Sequence, residues 1–88
     1  MHAVTIDEPV FVQARFRPGG EVQPTAFVWQ ERTRYLAGVG RRWTEETETG
    51  TWHCFLAQTM AGDTVELRWH ATSHQWRLQR AWWRDAMV

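Results

Sequence analysis

Hydrophobic and polar residues alternate with a period of two along most of the chain. The alternation is clearest in residues 64–71, where Val65, Leu67 and Trp69 are separated by polar residues. Successive side chains of a β-strand point to opposite faces, so this pattern predicts strands with one buried face. No segment has the 3.6-residue repeat of an amphipathic helix. We therefore expect an all-β protein.

Turn-forming residues separate the alternating segments. Arg-Pro-Gly-Gly at 17–20 and Ala-Gly-Asp at 61–63 are typical of tight turns, and Pro24 is expected to end a strand or precede one. Gly38 and Gly40 lie inside an alternating segment and predict a sharply curved strand. About six antiparallel strands are predicted, over residues 10–16, 25–30, 33–43, 52–60, 64–71 and 76–83.

Short connections between these strands favour a single domain over residues 1–88, built as an antiparallel meander that curls into a barrel-like sheet. The ordered core is expected over about 10–85. Residues 44–51 are polar and acidic and are predicted to form the longest loop. The apolar residues expected in the core are Val12, Phe16, Phe27, Trp29, Tyr35, Leu56, Val65, Leu67, Trp69, Trp76 and Leu78.

The composition limits the class of protein. The chain has 88 residues, no net charge with histidine neutral, and 43% hydrophobic residues, which is typical of a globular domain. No apolar segment approaches the ~18 residues that a membrane-spanning helix needs. The first eight residues contain two acidic and no basic residues, which is unlike a signal peptide. With Cys54 as the single cysteine, we expect a cytoplasmic protein without an internal disulfide.

Two biases within this composition concern arginine and tryptophan. All ten basic residues are arginine, and seven tryptophans occur in 88 residues. A GC-rich genome explains the arginines most simply. Guanidinium groups also stack on aromatic rings and bind carboxylates or phosphates with two parallel hydrogen bonds. Codon usage does not easily explain the tryptophans, because each large rigid ring needs a defined place.

Aromatic, glycine and charged residues recur at defined spacings between Val10 and Asp85, at Trp29, Tyr35, Trp43, Trp52, Phe55, Gly62, Val65, Glu66, Leu67, Trp76, Leu78, Arg80 and Asp85. This spacing resembles that of an uncharacterised family of small, Trp-rich bacterial domains of unknown function. Members of that family are often encoded near genes for an error-prone repair polymerase system. The resemblance implies an accessory role near DNA repair, and it implies no catalytic residues.

Catalytic and metal-binding chemistry is not favoured by the spacing of reactive residues. His53 and Cys54 are neighbours in a predicted strand and point to opposite faces, and His70 and His74 lie on either side of a turn, so a zinc site is not expected. Cys54 is expected to be a buried hydrophobic residue. We predict a protein without enzymatic activity, cofactor or metal.

A serine–histidine pair and a cluster of glutamates also give no reason to expect enzymatic activity. Ser73 and His74 are adjacent in a turn, which does not place a nucleophile against its base. The carboxylates of Glu45, Glu46 and Glu48 are expected to be a solvated charge cluster.

Arginine and tryptophan alternate in the last predicted strands, which indicates a binding surface. The residues assigned to it are Arg68, His70, Arg77, Arg80, Trp83 and Arg84. Exposed tryptophan and arginine dominate protein-binding hot spots, and a net charge of zero suits a protein partner better than a polyanion. A cytoplasmic interaction module with a protein partner is therefore the first hypothesis. Weak contact with single-stranded nucleic acid, associated with DNA repair, is the alternative.

Trp82 and Trp83 are consecutive in a predicted strand, so at least one of the two rings is expected outside the core. A homodimer that buries Trp83 is equally compatible with the sequence and would form by pairing of edge strands. The aromatic and basic residues of these strands are also compatible with a purely structural role, in which arginine stems cover tryptophans of the core.

Overall fold

Seven antiparallel strands make up residues 3–84, the range that the computed structural model describes, and this range contains no helix. The strands are β1 (Val4–Pro9), β2 (Phe11–Phe16), β3 (Val22–Trp29), β4 (Arg32–Thr47), β5 (Gly50–Thr59), β6 (Thr64–His70) and β7 (Trp76–Trp82). The predicted all-β meander is confirmed, with β1 as an additional strand. Asp85, the last residue of the predicted ordered core, lies outside the described residues.

The strands form one sheet in the order β1-β7-β6-β5-β4-β3-β2. Strands β2 to β7 follow each other as a meander, and β1 pairs with β7 at the far edge. The two edge strands are nevertheless consecutive in the chain and are joined by Val10 alone, whose backbone N–H donates to the carbonyl of Trp76 over 3.2 Å. This short connection requires the sheet to curl strongly. The sheet is barrel-like, although hydrogen bonds do not close it.

The curvature is concentrated in β4, the longest strand. Its register against β5 shifts between Leu36 and Gly38 and again between Val39 and Arg41. These irregularities fall at the two glycines from which the sequence predicts curvature. They divide the sheet into two layers. The short layer contains β2, β3 and β4 as far as Tyr35; the long layer contains the rest of β4 with β5, β6, β7 and β1.

The hydrophobic core lies between the two layers. Phe27 of the short layer packs with residues of the long layer: Ala57, Val65, Leu67, Leu78 and Ala81. Among the predicted core residues, Phe27, Val65, Leu67 and Leu78 are buried, and Val12, Trp29, Leu56, Trp69 and Trp76 are partly buried. Cys54 is fully buried, as predicted.

Two predicted core residues are exposed instead. Phe16 is 71% exposed, because it is the last residue of β2 and lies at the end of the hairpin beside the turn to Val22. Tyr35 is 61% exposed, because the preceding residue, Arg34, lies opposite the core residue Phe27, which places Tyr35 on the outer face of the short layer. Alternation identifies residues that share a face of a strand. It does not identify which face another layer covers.

Pro24 lies inside β3 and does not precede it. The register of β2 against β3 shifts between Gln13 and Ala14, so that Thr25 is an extra residue in β3 next to the proline. A bulge is one of the few places where a paired strand tolerates a residue without an N–H group. The predicted start of this strand at Thr25 is therefore wrong.

The predicted acidic loop at 44–51 is also wrong, because β4 and β5 continue into it and leave only a tight turn at Glu48 and Thr49. The hydroxyl of Thr47 donates to the carbonyl of Gly50 over 3.1 Å, and the hydroxyl of Thr51 donates to Glu46 over 2.7 Å. Threonine favours strands, and these cross-strand hydrogen bonds hold the hairpin together.

Candidate functional site

The residues predicted as a binding surface divide into two groups in the structure. Arg68, His70, Arg77 and Arg80 lie on the outer face of the long layer. Trp83 and Arg84 lie beyond the end of β7, near the turn that contains Gly62.

The arginines of the first group are held by carboxylates. Arg68 forms ion pairs with Glu45 and, over 3.7 Å, with Glu66. The Nε of Arg80 lies 3.0 Å from Glu66, whose carboxylate is almost completely buried. The Nε of Arg77 donates to Asp7 of β1 over 2.9 Å. These guanidinium groups therefore link four strands of the long layer.

Glu45 occupies the exposed end of this network. Its pKa is lowered, chiefly because the indole N–H of Trp43 donates to the carboxylate and further because Arg68 binds it. Each of these contacts favours the charged form of the carboxyl group.

His70 is buried and organises two turns. Its Nε2 lies 2.6 Å from the carbonyl of Thr49, and its Nδ1 accepts backbone N–H groups of Thr72 and Ser73 over 3.2 and 3.0 Å. With Nδ1 as the acceptor of these two hydrogen bonds, Nε2 is the nitrogen that donates to the carbonyl of Thr49. Arg68, His70 and Arg77 line one polar cleft of about 570 Å³.

Trp83 is half-buried and stacks on Trp29, with ring centroids 5.1 Å apart. The guanidinium group of Arg34 lies over both rings, 4.9 Å from Trp83 and 5.2 Å from Trp29. Burial, and to a smaller extent the charge of Arg32, lowers the pKa of Arg34. The backbone N–H of Arg84 donates to Asp63 over 2.7 Å. Trp83 therefore joins the end of β7 to the short layer.

Cys54 lies beneath the outer face of the long layer. Its side chain is inaccessible, and burial raises the pKa of the thiol to about 11. A thiol with this pKa is protonated at neutral pH and is a poor nucleophile. Residues 3–84 contain no group of three or more His, Cys, Asp or Glu side chains positioned to hold a metal ion.

The outer face of the short layer carries exposed apolar side chains. Phe11 of β2 is 83% exposed and pairs with Val28 of β3, which is itself exposed. Tyr35 of β4 lies on the same face. A largely apolar groove of about 170 Å³ runs between Phe11 and Thr33. We name this surface the outer patch; it consists of Phe11, Gln13, Val28, Thr33 and Tyr35.

The short layer and its turns are rich in arginine. Residues 10–35 contain four arginines and two glutamates. Arg15 lies on the same face of β2 as Phe11, whereas Arg32 lies opposite Trp29 on the other face of the layer. In the described part of the chain, Arg42 pairs with Glu21, whereas Arg15, Arg17 and Arg32 are exposed and have no carboxylate within ion-pair distance. The charge pattern of the sequence does not single out this surface, because residues 31–48 combine four arginines with four glutamates, most of which belong to the long layer.

The chain matches no protein-family model, and it matches no curated protein and no solved structure. Among residues 3–84, no helix has the length and apolar character needed to cross a membrane.

Proposed function

We propose that this protein is a non-catalytic, cytoplasmic interaction module that binds an extended, acidic segment of a protein partner at the outer patch. The observation that carries the proposal is an exposed apolar groove on an edge strand, on a layer whose exposed arginines have no carboxylate partner among residues 3–84. The buried, protonated thiol of Cys54 supports a function without nucleophilic catalysis.

The edge position of β2 favours a peptide as the bound segment. The outer N–H and C=O groups of an edge strand can pair with an added strand. The other edge, β1, is protected by Pro9, by charged Asp7 and Glu8, and by an irregular register against β7. Within β2, residues 11–16 contain no proline and one charged residue, Arg15.

The charge around the outer patch favours an acidic partner. Arg15, Arg17 and Arg32 lie on or beside the short layer without carboxylates in the described residues. An approaching acidic segment gains from these charges. A second copy of this chain that paired through its own β2 would bring two positive surfaces together, so charge opposes the homodimer.

Single-stranded nucleic acid is the second candidate. Phe11 and Tyr35 are exposed aromatic rings on one face of the sheet, and bases of a single strand can stack on such rings. The guanidinium groups of nearby arginines can bind its phosphates. The open strand edge offers alternating donors and acceptors that match a peptide backbone and not a sugar–phosphate chain.

Fluorescence anisotropy tests the proposal with three labelled probes: an extended peptide of alternating Val and Glu, the same peptide with alternate N-methylated amides, and a single strand of thymidylates. We expect saturable binding of the first peptide and loss of binding on N-methylation, because the added strand then cannot pair with β2. Binding of the thymidylate strand alone, falling steeply with salt, would establish the second candidate. Binding of none of the probes would overturn both.

A matched pair of variants locates the contact. Phe11→Thr should weaken peptide binding about tenfold, the loss expected for one apolar anchor. Phe16→Thr is the control, since Phe16 is similarly exposed on the same strand but lies away from the outer patch. Neither change should lower the melting temperature. Equal effects of the two variants would place the binding site elsewhere.

A further inference from the structure

A separate cavity of about 420 Å³ opens at one end of the core, between the two layers. The turn from β2 to β3 covers one side of it at Gly20, Glu21 and Val22. The long layer forms the opposite wall of the cavity, through residues of β4, β5 and β6. We name this cavity the mouth; the residues that define it are Val22, Arg42, Thr44, His53, Phe55 and Trp69.

The mouth has a fixed aromatic wall. His53 lies directly opposite Trp69 across β5 and β6, with ring centroids 5.5 Å apart. The ring of His74 stacks on Trp69 at 5.1 Å and 15°, and Trp76 lies 6.1 Å from Trp69. Phe55 packs against Trp76 at 5.5 Å. Because each ring is supported by another, the wall is preformed for contact with a flat ligand.

The rim of the mouth carries both hydrogen-bond donors and acceptors. Nη1 of Arg42 donates to the carbonyl of Val22 over 2.7 Å, and the guanidinium group lies over the ring of Phe55. Its other nitrogen, Nη2, contacts the half-exposed carboxylate of Glu21 at 3.3 Å. Arg42 is therefore held in position by the backbone, while Glu21 makes one solvent-exposed contact. The hydroxyl of Thr44 and the imidazole of His53 add groups that both donate and accept.

We infer that the mouth binds a planar heteroaromatic ring that carries both donors and acceptors, which is the chemistry of a nucleobase. The ring contacts Trp69, which is only partly buried, and its polar edge meets Glu21, Arg42 and Thr44. The cavity volume lies within the range of about 300–1,000 Å³ found for small-molecule sites, and the mouth of a barrel is a common place for one. A free nucleoside and a base of a single strand present the same chemistry.

Two-dimensional NMR of the indole N–H groups tests this inference with adenosine, guanosine and a single strand of thymidylates as probes. We expect a saturable shift of the Trp69 signal, with no shift of Trp52, which is buried on the other face of the sheet. A response to the free nucleosides assigns a small-molecule site, and a response to the strand alone assigns a base of single-stranded nucleic acid. No movement of the Trp69 signal with any probe would overturn the inference.

Thr44→Phe fills the mouth without removing a core residue, because Thr44 is exposed. It should weaken the binding that shifts Trp69 at least about tenfold. Thr5→Phe adds the same ring at an exposed position of β1 and is the control. Unchanged affinity in Thr44→Phe would overturn the site. The acidic peptide should bind Thr44→Phe normally, and the base should bind Phe11→Thr normally, so failure of one proposal is distinguishable from failure of the other.

Discussion

Both layers carry arginines, but the two layers differ in what these arginines contact. On the long layer, Arg68, Arg77 and Arg80 are paired with carboxylates from neighbouring strands. On and beside the short layer, Arg15 and Arg32 have no such partner within the described residues. The same residue type therefore serves structure on one layer and is free for binding on the other. Composition alone cannot separate these roles.

The largest loss of stability is expected on the long layer, when the buried carboxylate of Glu66 is removed. It is 5% exposed and contacts Arg68 and Arg80. Glu66→Ala leaves the largely buried guanidinium group of Arg68 with fewer partners and should lower the free energy of unfolding by about 3 kcal/mol. Urea denaturation measures this loss, with Glu31→Ala as the control on the short layer. A loss below about 1 kcal/mol would mean that the network is not structural.

A smaller loss is expected at His70, which satisfies backbone groups of two turns. His70→Leu fills the buried position with an apolar side chain of similar size. It removes the imidazole that binds the N–H groups of Thr72 and Ser73 and the carbonyl of Thr49. The free energy of unfolding should fall by about 2 kcal/mol. Faster amide hydrogen exchange at Thr72 and Ser73 would identify the turn as the affected region. Unchanged exchange there would contradict the anchoring role.

The contribution of Glu45 depends on pH. Its pKa is lowered in the folded protein, first by the hydrogen bond from Trp43. The charged form therefore stabilises the fold above the unfolded-state pKa, and this stabilisation is lost as pH falls through the lowered value. The carboxylate is partly exposed, so the effect should be less than about 1 kcal/mol. The stability difference between wild type and Glu45→Gln should shrink between about pH 5 and pH 3. A difference independent of pH would exclude this linkage.

The smallest change in stability is expected for the exposed arginines of the short layer. Arg15→Gln and Arg32→Gln should each alter the free energy of unfolding by less than about 0.5 kcal/mol. Both changes should weaken binding of the acidic peptide and reduce its dependence on salt, because they remove positive charge that no carboxylate of residues 3–84 neutralises. Arg77→Gln is the matched comparison, since it breaks the ion pair with Asp7. A larger stability loss in Arg15→Gln than in Arg77→Gln would reverse the contrast between the layers.

Most of the fold was predictable because its signals are local. The alternation around Val65 and Leu67, the turn at Gly62 and the curvature at Gly38 each depend on a few consecutive residues. Strand β1 was missed because residues 4–9 contain Asp7, Glu8 and Pro9, and the strand forms through pairing with β7 at the other end of the chain. Such a partner has no local signal.

The binding surfaces were less predictable because they depend on pairing between distant residues. Arg68 and Glu45 are 23 residues apart in the chain, and their contact neutralises an arginine that the sequence indicates as free. Phe11 is exposed because its face of the short layer has no neighbouring layer among the described residues. The assignment of Arg68, His70, Arg77, Arg80, Trp83 and Arg84 to a partner stays a prediction.

The pairing of β1 with β7 has a consequence for the order in which the protein folds. Val4 lies opposite Ala81, so the first and the last of the described strands pair with each other. During synthesis, β1 leaves the ribosome before β7 has been made. The β2–β3 hairpin can therefore form while β1 is still unpaired. Closing so long a loop costs entropy that only a nearly complete sheet offsets. We expect β1 to be the last strand to dock and the first to detach, with refolding slowed by this single closure.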